Sequence, residues 1–322
     1  FDDPLVALVQ TPQDFYNLES FEHSRTAARD GFNEQSLFYR AILAGKNRWQ
    51  AAFWCGTNAL VRVQALKEVG GVATETVTED IHTTIRLHAK GWRTVYHNEV
   101  LARGLAAASA GQYLLQRQRW GTGAMQVLQV DNPLTTAGLT VPQRLAYAFT
   151  LLGWFDAWRS LGYLLVPVGV LLTGAVPIHT PLGTFAVAFT VTFTLQQLAL
   201  WLLGRGWQRP WLAILFDLVR LPSNLAATMA LFGRRTVGFQ VTPKGRTGER
   251  PHRAQPPRIL SAVVVVSGLT TVWFIATAAG RTPLHYGVRA AAFAAAGWLA
   301  FNLVLGTAGL PSFGHGAYFA SR

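Results

Sequence analysis

Runs of about twenty apolar residues constrain this chain most, because that is the length an α-helix needs to cross a bilayer. Residues 145–172, 185–203, 259–279 and 290–308 are such runs, although the first carries Asp156 and Arg159. A second half built this way folds as an α-helical membrane region, in which each backbone donor and acceptor is satisfied inside its own helix. A further stretch, 211–232, is interrupted by Asp217, Arg220 and Pro222 and reads as an interfacial or broken helix. Half of all residues are hydrophobic and only 14% are charged, which is low for a soluble protein.

The charge is divided unevenly. Residues 1–140 hold 13 Lys/Arg and 13 Asp/Glu, so the net +12 belongs to 141–322, where 15 Lys/Arg meet only Asp156, Asp217 and Glu249. These cations lie between apolar runs, where they suit the cytoplasmic flanks of membrane helices. No nucleic-acid recognition motif accompanies them, so nucleic acid is not an expected partner. Residues 174–182 contain no Lys or Arg, whereas 233–258 contain Arg234, Arg235, Lys244, Arg246, Arg250, Arg253 and Arg258. The second loop is therefore expected to be cytosolic, on the same side as residues 1–140. Cys55 has no second cysteine to pair with, as expected in a reducing compartment.

Residues 1–108 read as soluble α/β. Residues 5–9 form a short apolar run suited to a buried strand, followed by a polar, mostly helical stretch to about Gly45. Residues 53–63 are apolar and rich in small residues, with Gly56 permitting a close backbone approach. A helix is expected over 79–90, closed by Gly91, and a strand over 93–97. Ser109 and Gln112 make a capping-box pattern, so a helix is expected over about 110–129, lying at the membrane surface. The organisation is then 1–108, an interfacial region 109–142, a membrane domain 143–308 containing the loop 233–258, and a tail 309–322.

Three short motifs carry chemistry. Thr78-Glu79-Asp80 stands at a helix start, where acids are favoured by the macrodipole, but a carboxylate there can also take a proton from a hydroxyl. Gln116, Arg119 and Trp120 fall at i, i+3 and i+4 on one helical face. An indole offers a plane for a sugar ring, and a guanidinium offers paired donors to a pyrophosphate. Arg117 lies on a different face and carries no assigned role. In the loop, Phe239-Gln240-Val241-Thr242-Pro243-Lys244-Gly245 places a point charge and an apolar foot between flexible glycines. Each motif has a plainer reading, as a helix cap, an interfacial anchor or a lipid-binding basic loop.

In this order, with apolar spans between the second and third, the motifs resemble those of processive family-2 glycosyltransferases of the cellulose synthase type. Phe53-Trp54-Cys55-Gly56-Thr57 and Val9-Gln10-Thr11-Pro12 are also similar to stretches of that family, with Trp54 and Thr57 departing toward related residues. The resemblance implies a partial GT-A domain of α/β fold followed by transmembrane helices. It implies that Thr78, Glu79 and Asp80 form the catalytic motif, with Asp80 as the base. Trp120, Cys55 and Gly56 would border the acceptor; Gln116, Arg119 and Lys244 would hold the donor diphosphate. Phe239, Val241 and Thr242 would belong to a gating loop. The implied donor is a UDP-sugar, most simply UDP-glucose, and the implied acceptor a growing polysaccharide. Mg or Mn is implied as cofactor, held by a D-x-D that lies upstream of this chain. A lipid bilayer, the bacterial inner membrane, and a periplasmic partner subunit are further implications.

Other features carry less. His82 and His88 are six apart on a helix and do not share a face, which disfavours a metal site. Asp2-Asp3 reads as a loop before a strand. Trp154, Phe155 and Trp158 could stack on sugars along a channel, or could simply pack. Phe1-Asp2-Asp3-Pro4 reads as the interior of a domain, so the chain alone is expected to be inactive. The alternatives are synthesis of another β-glycan (hyaluronan, chitin or a mixed-linkage glucan) and a non-catalytic membrane remnant. No domain for cyclic-di-GMP follows the last span, so regulation by that nucleotide has no support in the sequence.

Overall fold

The structure is a computed structural model that describes residues 2–23, 32–173, 180–207, 209–233 and 258–277. The loop residues Phe239, Val241, Thr242 and Lys244, the expected span 290–308 and the tail 309–322 lie outside the described residues. The chain divides into two compact units. The first comprises the described parts of 1–156, 203–209 and 223–249; the second comprises those of 157–202, 210–222 and 250–322.

In the first unit, β1 (Val6–Gln10) is the middle strand of a three-stranded sheet. It pairs antiparallel with β3 (Ala59–Val61) and parallel with β4 (Arg93–Tyr96). Ala7, Leu8 and Gln10 on β1 are fully buried, as a strand covered on both faces requires. A second, two-stranded sheet joins β2 (Asp14–Phe15) in parallel to β5 (Arg103–Gly104). The stretch before Gly45 is helical only in part: a π-helical segment, Phe38–Leu43, runs into the short α1 (Ala44–Asn47). Residues 53–63 take three conformations in turn. An extended loop precedes β3, and Val63 opens a six-residue helix, α2 (Val63–Glu68).

The helix carrying the acidic motif, α3 (Glu79–Ala89), forms where expected, and Gly91 closes it at φ +86°. Its Ile81 and Ile85 pack with Phe53, Met125, Val127, Tyr147 and Leu151 in the main core. The following helix, α4 (Ala110–Val130), starts at Ser109, whose hydroxyl accepts from the Gln112 amide at 3.3 Å. Its second half is enclosed by protein. Every residue from Gly121 to Val127 is buried, so protein surrounds this stretch on all sides. Gly121, Thr122, Gly123 and Ala124 are small enough to let neighbours approach from each direction, which a hydropathy profile does not register.

The expected span 145–172 also divides. Its beginning lies in α5 (Val141–Leu152), capped by a Thr140–Gln143 capping box, and Tyr147, Ala148 and Leu151 of this helix are buried in the first unit. A 3₁₀ turn, Gly153–Phe155, then leads to α6 (Asp156–Thr173). Trp154 and Phe155 of the turn pack against the main core, whereas Trp158 is exposed. In the second unit, α7 (Leu182–Gly204) stacks Phe185, Phe189 and Phe193 along one exposed ridge.

Next comes α8 (Pro210–Thr228), which is continuous through Pro222, with Arg220 paired to Asp217 one turn before it. Its flanks return to the first unit. Arg40 lies 5.2 Å over the Trp207 ring and Arg209 lies 5.4 Å over Phe32. Beyond its far end, Gln129 donates to the Leu231 carbonyl at 2.7 Å. The last described helix is α9 (Arg258–Ala276). By length and composition, Val141–Thr173, Gly183–Gly204 and Leu212–Phe232 could each cross a membrane, and Ser261–Phe274 is a shorter apolar helix.

Candidate active site

Asp80 is the second residue of α3, and its Oδ1 accepts from the Ile81 amide at 2.8 Å. The residue is half-buried, and burial of the carboxyl pushes its pKa up to about 7. The Ile81 amide and the nearby Arg119 oppose that rise, while Glu79 adds to it. A carboxylate poised there accepts protons well near neutral pH.

The loop Phe53-Trp54-Cys55-Gly56-Thr57 lies directly against this carboxyl. A Cβ on Gly56 would stand 3.2 Å from Asp80 Oδ2, and Gly56 has φ +79°, so both space and backbone favour glycine. The Trp54 amide donates to Thr84 Oγ1 at 3.1 Å, and that hydroxyl donates to the Asp80 carbonyl at 2.8 Å. Loop and helix are thus joined within one turn of the acid. Burial, with Asp80 nearby, raises the Cys55 pKa well above its ordinary value, so the side chain is a neutral thiol. It serves as a small apolar wall, not a nucleophile. Lys46 approaches from below, 5.2 Å over the Phe53 ring, and donates to the Ala146 carbonyl at 3.0 Å. Burial brings its pKa down to about 8.

The Q-x-x-R-W motif reaches the same place through α4. Arg119, Gly123 and Gln126 recur at i, i+4 and i+7 and so share a face. On that face the Gln126 Oε1 accepts from the Val77 amide at 2.9 Å. A Cβ on Gly123 would overlap the Thr78 side chain, so only glycine lets α4 come this near the acidic motif. Gly121 gives the same clearance to Trp154 and Ala227, 2.9 and 2.8 Å from a Cβ placed there. Gln116 is 7% exposed and its Oε1 has no protein partner among the described residues; the same holds for Thr78 Oγ1. Buried acceptors and hydroxyls are nearly always satisfied, so Thr78 Oγ1 at the start of α3 and Gln116 Oε1 on α4 are each open to a further partner. Trp120 is half-buried, with the Arg117 guanidinium 4.4 Å from its ring centroid.

The histidines of α3 have structural partners. His82 faces Asp131 at 2.7 Å, in a network that Arg86 extends to Glu75. His88 stands between Thr94 and Tyr147 at 3.0 and 2.9 Å, and burial lowers its pKa to about 4, leaving it neutral. Asp3 Oδ1 caps the turn into β1 by accepting from the Leu5 amide at 2.9 Å.

Residues 1–305 match the family model described as glycosyl transferase family group 2. The chain belongs to that family. It is 34% identical over 276 residues to cellulose synthase 1 catalytic subunit (UDP-forming) of Komagataeibacter xylinus, covering 83% of this chain and 36% of that protein. It is 40% identical over 177 residues to the cellulose synthase catalytic subunit (UDP-forming) of Pseudomonas fluorescens (strain SBW25), covering 55% of this chain and 24% of that protein. Cellulose synthase 2 of Novacetimonas hansenii is 32% identical over 275 residues, 83% of this chain and 17% of that protein. The chain thus spans about a third or less of the length of these curated relatives.

In this member of the family, one positioning residue, Gln10, had no role assigned from the sequence. Gln10 is wholly buried at the end of β1. Its amide donates to the Thr11, Thr57 and Asn58 carbonyls at 2.7, 2.8 and 3.2 Å, and its Oε1 accepts from the Cys55 amide at 2.8 Å. One side chain therefore stitches the Cys55–Gly56 loop to the sheet. Replacing Gln10 by Leu removes that partner from the Cys55 amide and the Thr11 and Thr57 carbonyls, at about 1–3 kcal/mol for each left buried and unpaired, while the Asn58 carbonyl keeps the Thr11 amide and hydroxyl. Because Cys55 is the only cysteine, a maleimide reads the loop alone. Gln10→Leu is expected to accelerate its modification at least roughly tenfold, in keeping with that loss. An unchanged rate would show that Gln10 does not hold the loop.

Proposed function

We propose that this chain is the C-terminal section of a processive, inverting β-glycosyltransferase, with a partial GT-A domain and a membrane region, and that its full-length form polymerises glucose from UDP-glucose into β-1,4-glucan. The observation that carries the reading is the convergence on Asp80 of three segments distant in sequence: the Gly56 loop, α3, and the Arg119–Gly123–Gln126 face of α4.

In this reading the acceptor's terminal hydroxyl loses its proton to an Asp80 carboxylate oxygen as its oxygen attacks the anomeric carbon. The new C–O bond forms on one face while the bond to the diphosphate breaks on the other, and UDP leaves, inverting the centre. Trp120 supports the acceptor ring, and Gly56 and Cys55 leave room beside Asp80 for the hydroxyl. Gln116 and Arg119 approach the diphosphate from α4. Lys244 would add a cation from the 233–258 loop, with Phe239, Val241 and Thr242 as its lid. The divalent metal implied by the family finds no fit here: among the described residues no three His, Cys, Asp or Glu side chains converge. No step is assigned to it. The relatives' names, cellulose synthase and UDP-forming, support the glucan product and the UDP leaving group, and the apolar helices make secretion through the membrane coherent with polymerisation. The run 211–232, interrupted by Asp217, Arg220 and Pro222, is read as an interfacial or broken helix, which would keep the 233–258 loop on the catalytic side.

The test is incorporation from UDP-[¹⁴C]glucose by membranes containing the full-length polypeptide. The product is expected to be digested by an endo-β-1,4-glucanase; resistance to it would give the reaction to another β-glycan. The 322-residue chain alone is expected to make no polymer, and metal-dependent incorporation by it would refute that expectation.

A further inference from the structure

Arg117 is 6% exposed, an unusual setting for a guanidinium one residue from an assigned diphosphate contact, Gln116. Its surroundings explain the burial. On one side it faces two carboxylates, Glu22 at 3.5 Å and Glu34 in closer contact. Glu22 is itself fully buried and is held by the Gln35 amide at 2.5 Å. On the other side the guanidinium lies over two rings of its own helix, 4.8 Å from Tyr113 and 4.4 Å from Trp120. Tyr113, Arg117 and Trp120 recur at i, i+4 and i+7, so Arg117 shares a face of α4 with Trp120, contrary to the separate face expected from the sequence, and its guanidinium lies over both rings.

Such an arrangement is costly to build unless the geometry matters, because two acids and one base are withdrawn from water together. What it produces is a Trp120 indole with a rigid backing. A tryptophan on an exposed helix samples several rotamers, and a sugar must select one of them at a cost in affinity. A planar cation anchored at its far end removes that freedom. Lysine cannot do the same, since its compact ammonium has no plane to spread over a ring while its donors hold the two carboxylates.

We propose that Arg117 is a positioning residue for the acceptor platform: pinned by Glu22 and Glu34, its guanidinium backs the Trp120 indole and fixes the ring plane on which the terminal acceptor sugar rests. The inference rests on the reading of Trp120 as the acceptor platform. It assigns Glu22, Glu34 and Gln35 to the same task, one step further back.

The experiment labels the solubilised full chain with 5-fluorotryptophan and follows the Trp120 ¹⁹F resonance, assigned by its loss in Trp120→Phe. In Arg117→Lys that resonance is expected to move and broaden while the other tryptophan signals hold, which also shows that the variant is folded. Glu34→Gln, which loosens the pin and leaves Arg117 in place, is expected to broaden it in the same direction. In parallel, calorimetric titration with cellotetraose is expected to show an affinity loss of about tenfold in Arg117→Lys. In a Trp120→Ala background the same substitution is expected to change affinity by less than about twofold, because the effect runs through the ring. A Trp120 resonance unmoved by Arg117→Lys overturns the proposal. So does an equal affinity loss with and without Trp120, which would mark a general structural role. If the resonance moves but the unsubstituted chain fails to bind cellotetraose, Arg117 still positions the indole, and the acceptor reading of Trp120 is what fails.

Discussion

Asp80→Asn is expected to lower glucose transfer by the full-length enzyme about 10²–10⁴-fold, the usual worth of a positioned general base. The amide preserves shape and the Ile81 contact but cannot accept a proton. Initial rates of UDP-[¹⁴C]glucose incorporation measure the loss, and a variant within tenfold of the parent would remove Asp80 from the catalytic role. The pKa of about 7 also sets the pH profile. The base must be ionised, so the rate of the unsubstituted enzyme is expected to rise with pH through about 7 and then level off.

The same shift has a consequence for stability with the opposite sense. Burial favours the protonated carboxyl in the folded state, so the fold binds a proton that the unfolded chain has already lost. Stability from this group is therefore complete below the ordinary carboxylate range and is lost as pH rises through about 7. The cost at higher pH is roughly 4 kcal/mol at most, and less to the extent that water reaches the half-buried side chain. Asp80→Asn does not titrate. It is expected to melt higher than the parent above neutral pH and to lose that advantage in acid, as thermal unfolding across a pH series would show.

Gly123→Ala carries the second large effect. Its Cβ would overlap the Thr78 side chain at three atoms, and neither partner can swing away, since α4 is buried there and Thr78 begins α3. Overpacking of this kind costs about 1–3 kcal/mol. It also pushes α4 off the acidic motif, and a displacement near 1 Å at a catalytic constellation costs about 10²-fold in rate. Gly111→Ala is the control. Nothing lies within 4 Å of a Cβ at Gly111 in the first turn of the same helix, so that variant is expected to be neutral or slightly stabilised. Equal behaviour of the two variants, by melting temperature and by incorporation rate, would refute the close-approach argument.

These expectations separate what local sequence encodes from what it does not. The start of α4 was legible because Ser109 and Gln112 are three residues apart and close the cap by themselves. The course of α3 was legible because Gly91 ends it where the apolar period stops. The burial of Gly121–Val127 was not, since only the packing of Met125 and Val127 with Ile81 and Tyr147 shows that this stretch of α4 is enclosed. Likewise the run 145–172 reads as one span, yet its first part serves the core of the first unit through Tyr147 and Leu151.

The sequence by itself determined the membrane class of the second half, the helices around the acidic and Q-x-x-R-W motifs, and the candidate residues Asp80, Gln116, Arg119 and Trp120. The first two rest on composition, periodicity and spacing within a few turns, and the candidate residues on the resemblance of their motifs to the family's. Only the tertiary structure decided that Gly56 abuts the Asp80 carboxyl, that Gln10 holds the Cys55 loop, and that Arg117 is buried behind Trp120 by Glu22 and Glu34. Each of these is a contact between residues 24 to 95 positions apart, and a buried charge or orphan amide acquires its meaning from the partner that distance conceals.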